Sequence, residues 1–197
     1  MPKTVADIVE TLELPRAEHV CWGEKPGLRS PGIYFVSLSP DPASNAVLPE
    51  APISLEAVER WLSRVPDLTL HGSRPEPSKL AGFLSRFWLP DENIVYIGKA
   101  ARLGARIGQM FRHTLGAPSP HAGGHWLQVL CVEKYVHFSC TSVQGAEQME
   151  REALRLFMEG VSEETRGQLY NPMPLPFANR RGPDGGRKQA CIGHSVG

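Results

Sequence analysis

Two short runs of β-branched and aromatic residues constrain the fold of this chain more than any other feature. Residues 32–38 (GIYFVSL) and 93–98 (NIVYIG) are each long enough to form a buried strand. Between them, residues 39–90 hold two Pro-rich loops and two helical patterns, the first of which Ser54 can cap. We therefore expect the two strands to pair across a helical insertion. Such pairing is feasible because the entropic cost of closing a loop rises only logarithmically with its length.

The remaining sequence alternates between helical and strand-like patterns. Apolar spacing predicts helices over 4–12, 100–113 and 144–159, and strands over 126–132 and 135–140. This order predicts an α/β (α+β) fold in which a small, mainly antiparallel sheet is flanked by helices. The expected organisation is an N-terminal helix and loop (1–30), a core (31–175) interrupted by the insertion (39–90), and a basic Gly/Pro-rich tail (176–197).

Composition excludes several classes of protein. The 197 residues are 41% hydrophobic and 21% charged, which is ordinary globular usage and argues against disorder. No apolar run approaches the roughly 18–20 residues that span a bilayer, and the N-terminus lacks a signal-peptide pattern, so a cytoplasmic protein without a membrane partner is expected. The four cysteines are widely spaced, which predicts buried, reduced thiols rather than disulfides or a zinc site.

The formal net charge is zero, but the charges are unevenly distributed. Residues 93–132 contain no acidic residue, whereas Lys99, Arg102, Arg106 and Arg112 all lie there. Binding to a polyanion depends on the local field rather than on the total charge. Neutrality therefore excludes only a uniformly basic, indiscriminate nucleic-acid binder.

Two tripeptides carry a more specific signal. Gly32-Ile33-Tyr34 and Tyr96-Ile97-Gly98 resemble the signature tripeptides of the GIY-YIG nuclease superfamily, and Arg106 lies eight residues beyond Gly98, where that family has an arginine. Residues 146–154 (AEQMEREAL) resemble the family's acidic helix, and 168–171 (QLYN) resembles the segment that ends its core. The matching pieces occur in the family's order and cover just under half of the chain.

The resemblance implies an endonuclease that hydrolyses DNA phosphodiester bonds with Mg²⁺, or with Mn²⁺ as the alternative ion. It makes Tyr34 the general base, Tyr96 a residue that orients water or phosphate, and Glu150 the metal ligand. Lys99 and Arg106 would stabilise charge on the phosphate, for which the planar arginine fork is well suited. Tyrosine is a poor base at its ordinary pKa of about 10, but Lys99, Arg106 and a metal ion beside it are expected to favour the Tyr34 phenolate.

Further candidate residues and partners complete this interpretation. Arg102, Arg112, His113 and His121 are candidate substrate contacts, and Asn171 is expected to support the site. The insertion is the candidate for target recognition, RNA is not excluded as the substrate, and a homodimer is expected if the target is palindromic. Glu147 lies three residues before Glu150 on the same helical face, so either glutamate can be the ligand, and both can also be plain surface charges.

Two departures from the family pattern leave an alternative open. The two tripeptides are much farther apart than is usual in the family, and Met110 stands where the family often has His or Tyr. Methionine cannot position water or phosphate. The alternative is therefore a catalytically inactive GIY-YIG fold that binds nucleic acid or protein. The basic stretch 179–188 (NRRGPDGGRK) predicts either a contact with a nucleic-acid backbone or a merely solvated tail.

Overall fold

The computed structural model describes residues 1–117 and 123–194, and this part of the chain is mixed α/β. It contains seven helices and six strands, which confirms the predicted fold class. In chain order they are α1 (Val5–Thr11), β1 (Glu18–Cys21), β2 (Gly32–Ser37), α2 (Leu55–Arg64), β3 (Leu68–Leu70), α3 (Pro77–Ser85), β4 (Ile94–Ala100), α4 (Leu103–Phe111), α5 (Gly124–Gln128), β5 (Tyr135–Cys140), α6 (Val143–Gly160), α7 (Glu163–Gln168) and β6 (Ile192–His194).

The main sheet has four antiparallel strands in the order β1-β5-β2-β4. Strand β2 is central and buried along its whole length, as its continuous apolar run predicts. It pairs with β4 in a register that sets Tyr34 opposite Gly98, so the predicted pairing across the insertion is confirmed. Strand β4 lies at the edge of the sheet, next to β2 only.

Side-chain caps fix where three of the helices begin. Ser54 accepts a hydrogen bond from the Ala57 amide before α2, and Ser142 accepts one from the Gly145 amide before α6. Thr4 and Asp7 form a reciprocal capping box before α1. Each cap satisfies an amide that has no partner within its helix, and this places the helix starts close to their predicted positions.

The sheet separates two hydrophobic clusters. One contains Tyr34 and Val36 and is covered by α2, α3, α4 and α5. The other contains Ile33 and Phe35 and is covered by α1 and α6. Alternate residues of β2 therefore enter different clusters, as the two-residue period of a strand requires.

The insertion shares the first of these clusters. Trp61 of helix α2 stacks on His125 with ring centroids 4.9 Å apart. The rings of Phe87 and Trp126 pack edge to face with centroids 5.2 Å apart. Backbone hydrogen bonds also join the start of the insertion to the chain after α5, from Ser54 N to Val129 O and from Cys131 N to Pro52 O. The insertion is thus held against the rest of the fold by both apolar and polar contacts.

Several sequence-based assignments of strands differ from the structure. The strand predicted over 126–132 is wrong, because Gly124–Gln128 forms helix α5 and buries Trp126 and Leu127 on one side. Periodicity cannot distinguish a short buried helix from a buried strand when most positions are apolar. Strand β1 was not predicted, since its four residues are mostly exposed and lack an apolar face.

The stretch expected to be a tail is packed into the fold. Phe177, Ala178 and Asn179 are buried, and β6 pairs with β3 of the insertion. The cysteines also differ from expectation: none of the four forms a disulfide, but Cys21, Cys131 and Cys191 are exposed and Cys140 is only partly buried. Within the described ranges, no helix is long and apolar enough to cross a membrane.

The close approach of Gly32 in β2 to Ser139 in β5 gives a test of how the two strands pack. A Cβ on Gly32 would lie 2.2 Å from the Ser139 carbonyl oxygen and 2.8 Å from Leu103 Cδ1. We predict that Gly32→Ala lowers the free energy of unfolding by about 3 kcal/mol, because the central strand must shift away from β5. Urea denaturation measures the change.

Gly27→Ala is the matched control, since a Cβ at Gly27 meets nothing within 4 Å. Its free energy of unfolding should stay within about 0.5 kcal/mol of the wild-type value. Equal effects of the two substitutions would contradict the pairing of β2 with β5.

Candidate active site

The candidate site lies over the edge strand β4, between α4 and α6. Along β4, Tyr96 and Gly98 share one face of the sheet and Lys99 lies on the other, because successive side chains alternate. An open groove of about 680 Å³ runs past this edge and is lined by residues of all three elements, among them Tyr96, Lys99, Arg102, Arg106, Glu147 and Glu150. The edge position allows side chains from both faces of the sheet to meet in one groove.

The α4 side of the groove holds Tyr96 and Arg106, and the fully buried Tyr34 packs against Tyr96 without lining the groove. The rings of Tyr34 and Tyr96 are 5.8 Å apart, and Arg106 on α4 interacts electrostatically with both. Gly98 makes this arrangement possible: a Cβ there would lie 2.8 Å from the Tyr34 hydroxyl and 2.7 Å from Tyr96 Cε1. The glycine of the second tripeptide is therefore required by the space that the tyrosine rings occupy.

The α6 side of the groove holds an ion-pair triad. Lys99 Nζ lies 3.1 Å from a carboxylate oxygen of Glu150 and 3.3 Å from one of Glu147. Burial acts to lower the pKa of Lys99, but hydrogen bonds and attraction from Glu150 and then Glu147 raise it above its ordinary value. Glu150 is the less exposed partner, at 21% of its side chain against 61% for Glu147, which favours Glu150 as the residue that acts inside the groove.

Burial dominates the pKa of Tyr34 in the protein alone. Burial, and then the neighbouring Tyr96, raise the pKa of Tyr34 well above its ordinary value, and the Arg106 charge offsets this only in part. Its buried hydroxyl interacts with the side chains of Tyr96 and Arg106. In the protein alone, the loss of solvation therefore outweighs the attraction of Arg106, and a favoured phenolate in the presence of a metal ion stays a prediction.

The two glutamates of the groove are the candidate ligands for a divalent cation. Mg²⁺ prefers oxygen ligands and often binds proteins through only one or two carboxylates, with water and substrate phosphate completing its shell. Glu150 and Glu147 converge on a single ammonium, so both can approach a cation at that place. No cluster of three or more His, Cys, Asp or Glu side chains able to hold a metal occurs in the described residues. The residues fit an ion held by one or two carboxylates.

Asn179 is a site residue that sequence reasoning missed. Its side-chain oxygen accepts a hydrogen bond from the Ile97 amide and its side-chain nitrogen donates one to the Ile97 carbonyl, both at 2.8 Å. Ala178 N also donates to Val95 O. Together they cover the free edge of β4 beside Tyr96, where unpaired backbone groups would otherwise remain. The QLYN resemblance points to Asn171, whereas the asparagine at the edge of β4 is Asn179, which only the three-dimensional contact reveals.

Other candidate residues lie in different places. Arg102 is exposed and lines the groove, as expected of a substrate contact. Arg112 is exposed at the end of α4 and does not line it. Asn171 is buried and donates only a long hydrogen bond, 3.4 Å, to Met173 O, so the structure places it apart from the groove. His121 lies outside the described residues.

His113 and Met110 belong to the core rather than to the groove. The His113 ring meets the His125 ring edge to face at 4.6 Å, and burial lowers the pKa of His113. This places a mostly uncharged imidazole away from the expected phosphate contact. Met110 is fully buried in the cluster beneath α4. The departure from the family pattern at this position is therefore explained locally by packing.

Comparisons with known proteins add no identification. Scans of family models, of curated proteins and of solved structures found no match to this chain.

The edge-covering contact gives a second test. Asn179→Ala removes both hydrogen bonds to Ile97 and leaves a backbone donor and acceptor without partners, so we predict a loss of about 3 kcal/mol in the free energy of unfolding. Asn179→Asp should be intermediate, because a carboxylate can accept from the Ile97 amide but cannot donate to its carbonyl.

Asn171→Ala is the comparison variant and should cost about 1 kcal/mol or less, since it loses one long hydrogen bond. Urea denaturation ranks the three proteins. A larger loss for Asn171→Ala than for Asn179→Ala would contradict the assignment of Asn179 to the edge of β4.

Proposed function

We propose that this chain is a GIY-YIG-type endonuclease that hydrolyses DNA phosphodiester bonds with the help of Mg²⁺. The observation that carries the proposal is the convergence of Tyr34, Tyr96, Arg106, Lys99 and Glu150 around the edge of β4. These five residues were selected from the sequence as a catalytic set, and their order along the chain alone does not require them to meet. No other set of charged side chains is needed to account for the chemistry.

The positive groups account for binding and charge stabilisation. Phosphodiester hydrolysis places additional negative charge on the phosphoryl oxygens, and fixed cations that face this charge lower the barrier. Arg106 presents a permanently charged planar donor group beside the two tyrosines, and Arg102 extends the positive charge along the groove. A DNA phosphate entering between α4 and α6 would therefore meet charge of the required sign.

The proton acceptor in this proposal is Tyr34. Its raised pKa means that it is a neutral hydroxyl in the protein alone, so it must release its proton before it can accept one from water. Arg106 already lowers its pKa in part. A Mg²⁺ ion held by Glu150 would supply the remaining positive charge and polarise the phosphate.

Lys99 has a different role in this proposal with and without a bound metal ion. In the structure its ammonium lies between Glu147 and Glu150, and so occupies the place that a cation would take. With a divalent ion held by the two carboxylates, Lys99 would be free to face the phosphate as a point charge. The groove is open enough for a side chain that is 38% exposed to make this movement.

One observation favours the binding-module alternative. The same Lys99 ion pairs leave Glu150 neutralised without any metal, which is also what an inactive, purely structural site requires. Both functions share the basic groove and differ only in whether Glu150 binds an ion. Target choice by the insertion (39–90) is part of either proposal.

Cleavage of supercoiled plasmid in Mg²⁺ separates the two functions. We expect the wild-type protein to nick or linearise the plasmid, and Tyr34→Phe and Glu150→Gln to be at least about 100-fold slower, since each removes a group used in proton transfer or metal binding. Glu159→Gln removes an exposed carboxylate of the same helix outside the groove and should keep wild-type activity.

Full activity of Glu150→Gln would contradict its role as a metal ligand. A wild-type protein that cuts no DNA, plasmid or linear, would favour the binding module. Single-stranded and duplex RNA of matched sequence belong in the same assay, because a preference for RNA would change the substrate and leave the catalytic set intact.

A further inference from the structure

A small basic pocket lies at the end of the chain, next to the candidate site but separate from the residues proposed for catalysis. It has a volume of about 140 Å³ and is lined by Arg180, Arg181, Arg187 and Lys188. Three of these residues are arginines, and burial and then the charge of Arg180 lower the pKa of the fourth, Lys188, to about 7. No described carboxylate lies within ion-pair distance of these four residues.

The pocket is formed by a short hairpin, residues 180–188. Its strands are joined by a bridge between Arg181 and Arg187, and by hydrogen bonds from Gly182 N to Gly186 O and from Lys188 N to Arg180 O. The antiparallel pairing brings arginines that are six positions apart in sequence to opposite sides of one turn. Like charges placed opposite each other destabilise a strand pair, so the arrangement is unfavourable without an anion.

The hairpin is anchored at both ends, which keeps these charges in place. At the tip, Asp184 pairs with Arg155 of α6 at 2.9 Å. At the base, the buried Lys188 donates to the carbonyls of Pro176 and Phe177 at 3.0 and 2.8 Å. The single acidic residue of the hairpin is thus used for anchoring and does not neutralise the arginines.

Crowding of the arginines contributes to a lowered pKa of Arg180. Although Arg180 is exposed, the protein atoms around its guanidinium lower its pKa, and the charges of Arg187 and Arg181 lower it further. An anion bound among the three guanidinium groups would reverse this effect. Arginine forks bind phosphate oxygens through paired hydrogen bonds, which makes a phosphate group the best match in charge and shape.

The pocket is connected to the candidate site. A larger groove of about 960 Å³ is lined by Tyr96, Lys99 and Glu150 and also by Arg180 and Arg181. A DNA strand whose scissile phosphate lies at Tyr96 and Lys99 can therefore place another of its phosphates at the hairpin. Phosphates along one strand are regularly spaced, so a fixed second contact sets the position of the strand in the groove.

We propose that the hairpin 180–188 is a phosphate-binding site that binds the backbone of the DNA strand beside the cleavage site. The identification of the anion as DNA rests on the proposed nuclease function, whereas the geometry of the basic pocket does not. The site holds and positions the strand by its backbone, and it carries no information about base sequence.

Binding without cleavage tests this proposal. The affinity of the full chain for a labelled DNA duplex is measured in EDTA by fluorescence anisotropy over a range of salt concentrations. We expect Arg181→Gln/Arg187→Gln to raise Kd by about 10-fold and to reduce the slope of log Kd against log salt by about 1 to 2, since each phosphate contact contributes about 0.9 to that slope. Arg181→Lys/Arg187→Lys should keep the wild-type slope and lose part of the affinity, because it preserves charge but not the paired hydrogen bonds.

Arg16→Gln/Lys25→Gln is the matched control, as it removes two exposed cations outside both grooves and outside the insertion, and it should leave Kd and slope nearly unchanged. Thermal melts followed by circular dichroism check that all variants fold. Unchanged binding by the arginine-to-glutamine variant, or an equal loss in the control, would overturn the proposal, and tighter binding of a matched RNA would overturn the assignment to DNA.

The test separates failure of this inference from failure of the proposed function. A protein that never cleaves but loses affinity in the hairpin variant contradicts the nuclease proposal and supports the phosphate site. A protein that cleaves plasmid while its hairpin variant binds and cleaves normally contradicts the phosphate site and supports the nuclease proposal.

Discussion

The antiparallel pairing of β2 with β4 is the constraint on which the rest of the structure depends. Its register sets Tyr34 opposite Gly98, and the absence of a side chain at Gly98 leaves the space that the Tyr34 and Tyr96 rings occupy. The same pairing makes β4 an edge strand, whose free backbone groups are covered by Asn179. A one-residue slip would turn Tyr34 to the opposite face of the sheet and separate it from Arg106.

The edge position of β4 also determines the electrostatics of the groove. Helix α4 supplies Arg102 and Arg106 from one side, and α6 supplies Glu147 and Glu150 from the other. Lys99 lies between the two sets and is paired with both carboxylates. Opposite charges are thus held close together without cancelling completely, which is what a site must provide if it is to bind an anionic strand and a cation at once. The hairpin 180–188 continues the positive side beyond α6.

Sequence reasoning succeeded where local rules decide the outcome. The strand at 32–38 followed from its continuous apolar run, and α2 and α6 follow the serines that cap them. It failed where contacts between residues distant in the sequence determine the structure. Helix α5 was predicted as a strand because apolar residues alone do not reveal a period. The C-terminus was predicted as a tail because the sequence does not show the contacts that pack it, in which two carbonyls and two aromatic rings hold the buried Lys188. The same limit explains why Asn179 was missed and why the raised pKa of Tyr34 was not foreseen, since both depend on burial that only the folded chain creates.

Whether Glu150 can exchange the Lys99 ammonium for a divalent ion is the central claim, and Mn²⁺ binding tests it most directly. The loss of the free-ion electron paramagnetic resonance signal on titration with protein gives the affinity without any cleavage. We predict that the wild-type chain binds one Mn²⁺ and that Lys99→Met binds it more tightly, because the competing charge is removed. Glu150→Gln should weaken binding by about 10-fold or more, the loss expected when a metal site loses a principal ligand. Equal Mn²⁺ affinity in the wild-type and Glu150→Gln proteins would contradict the account.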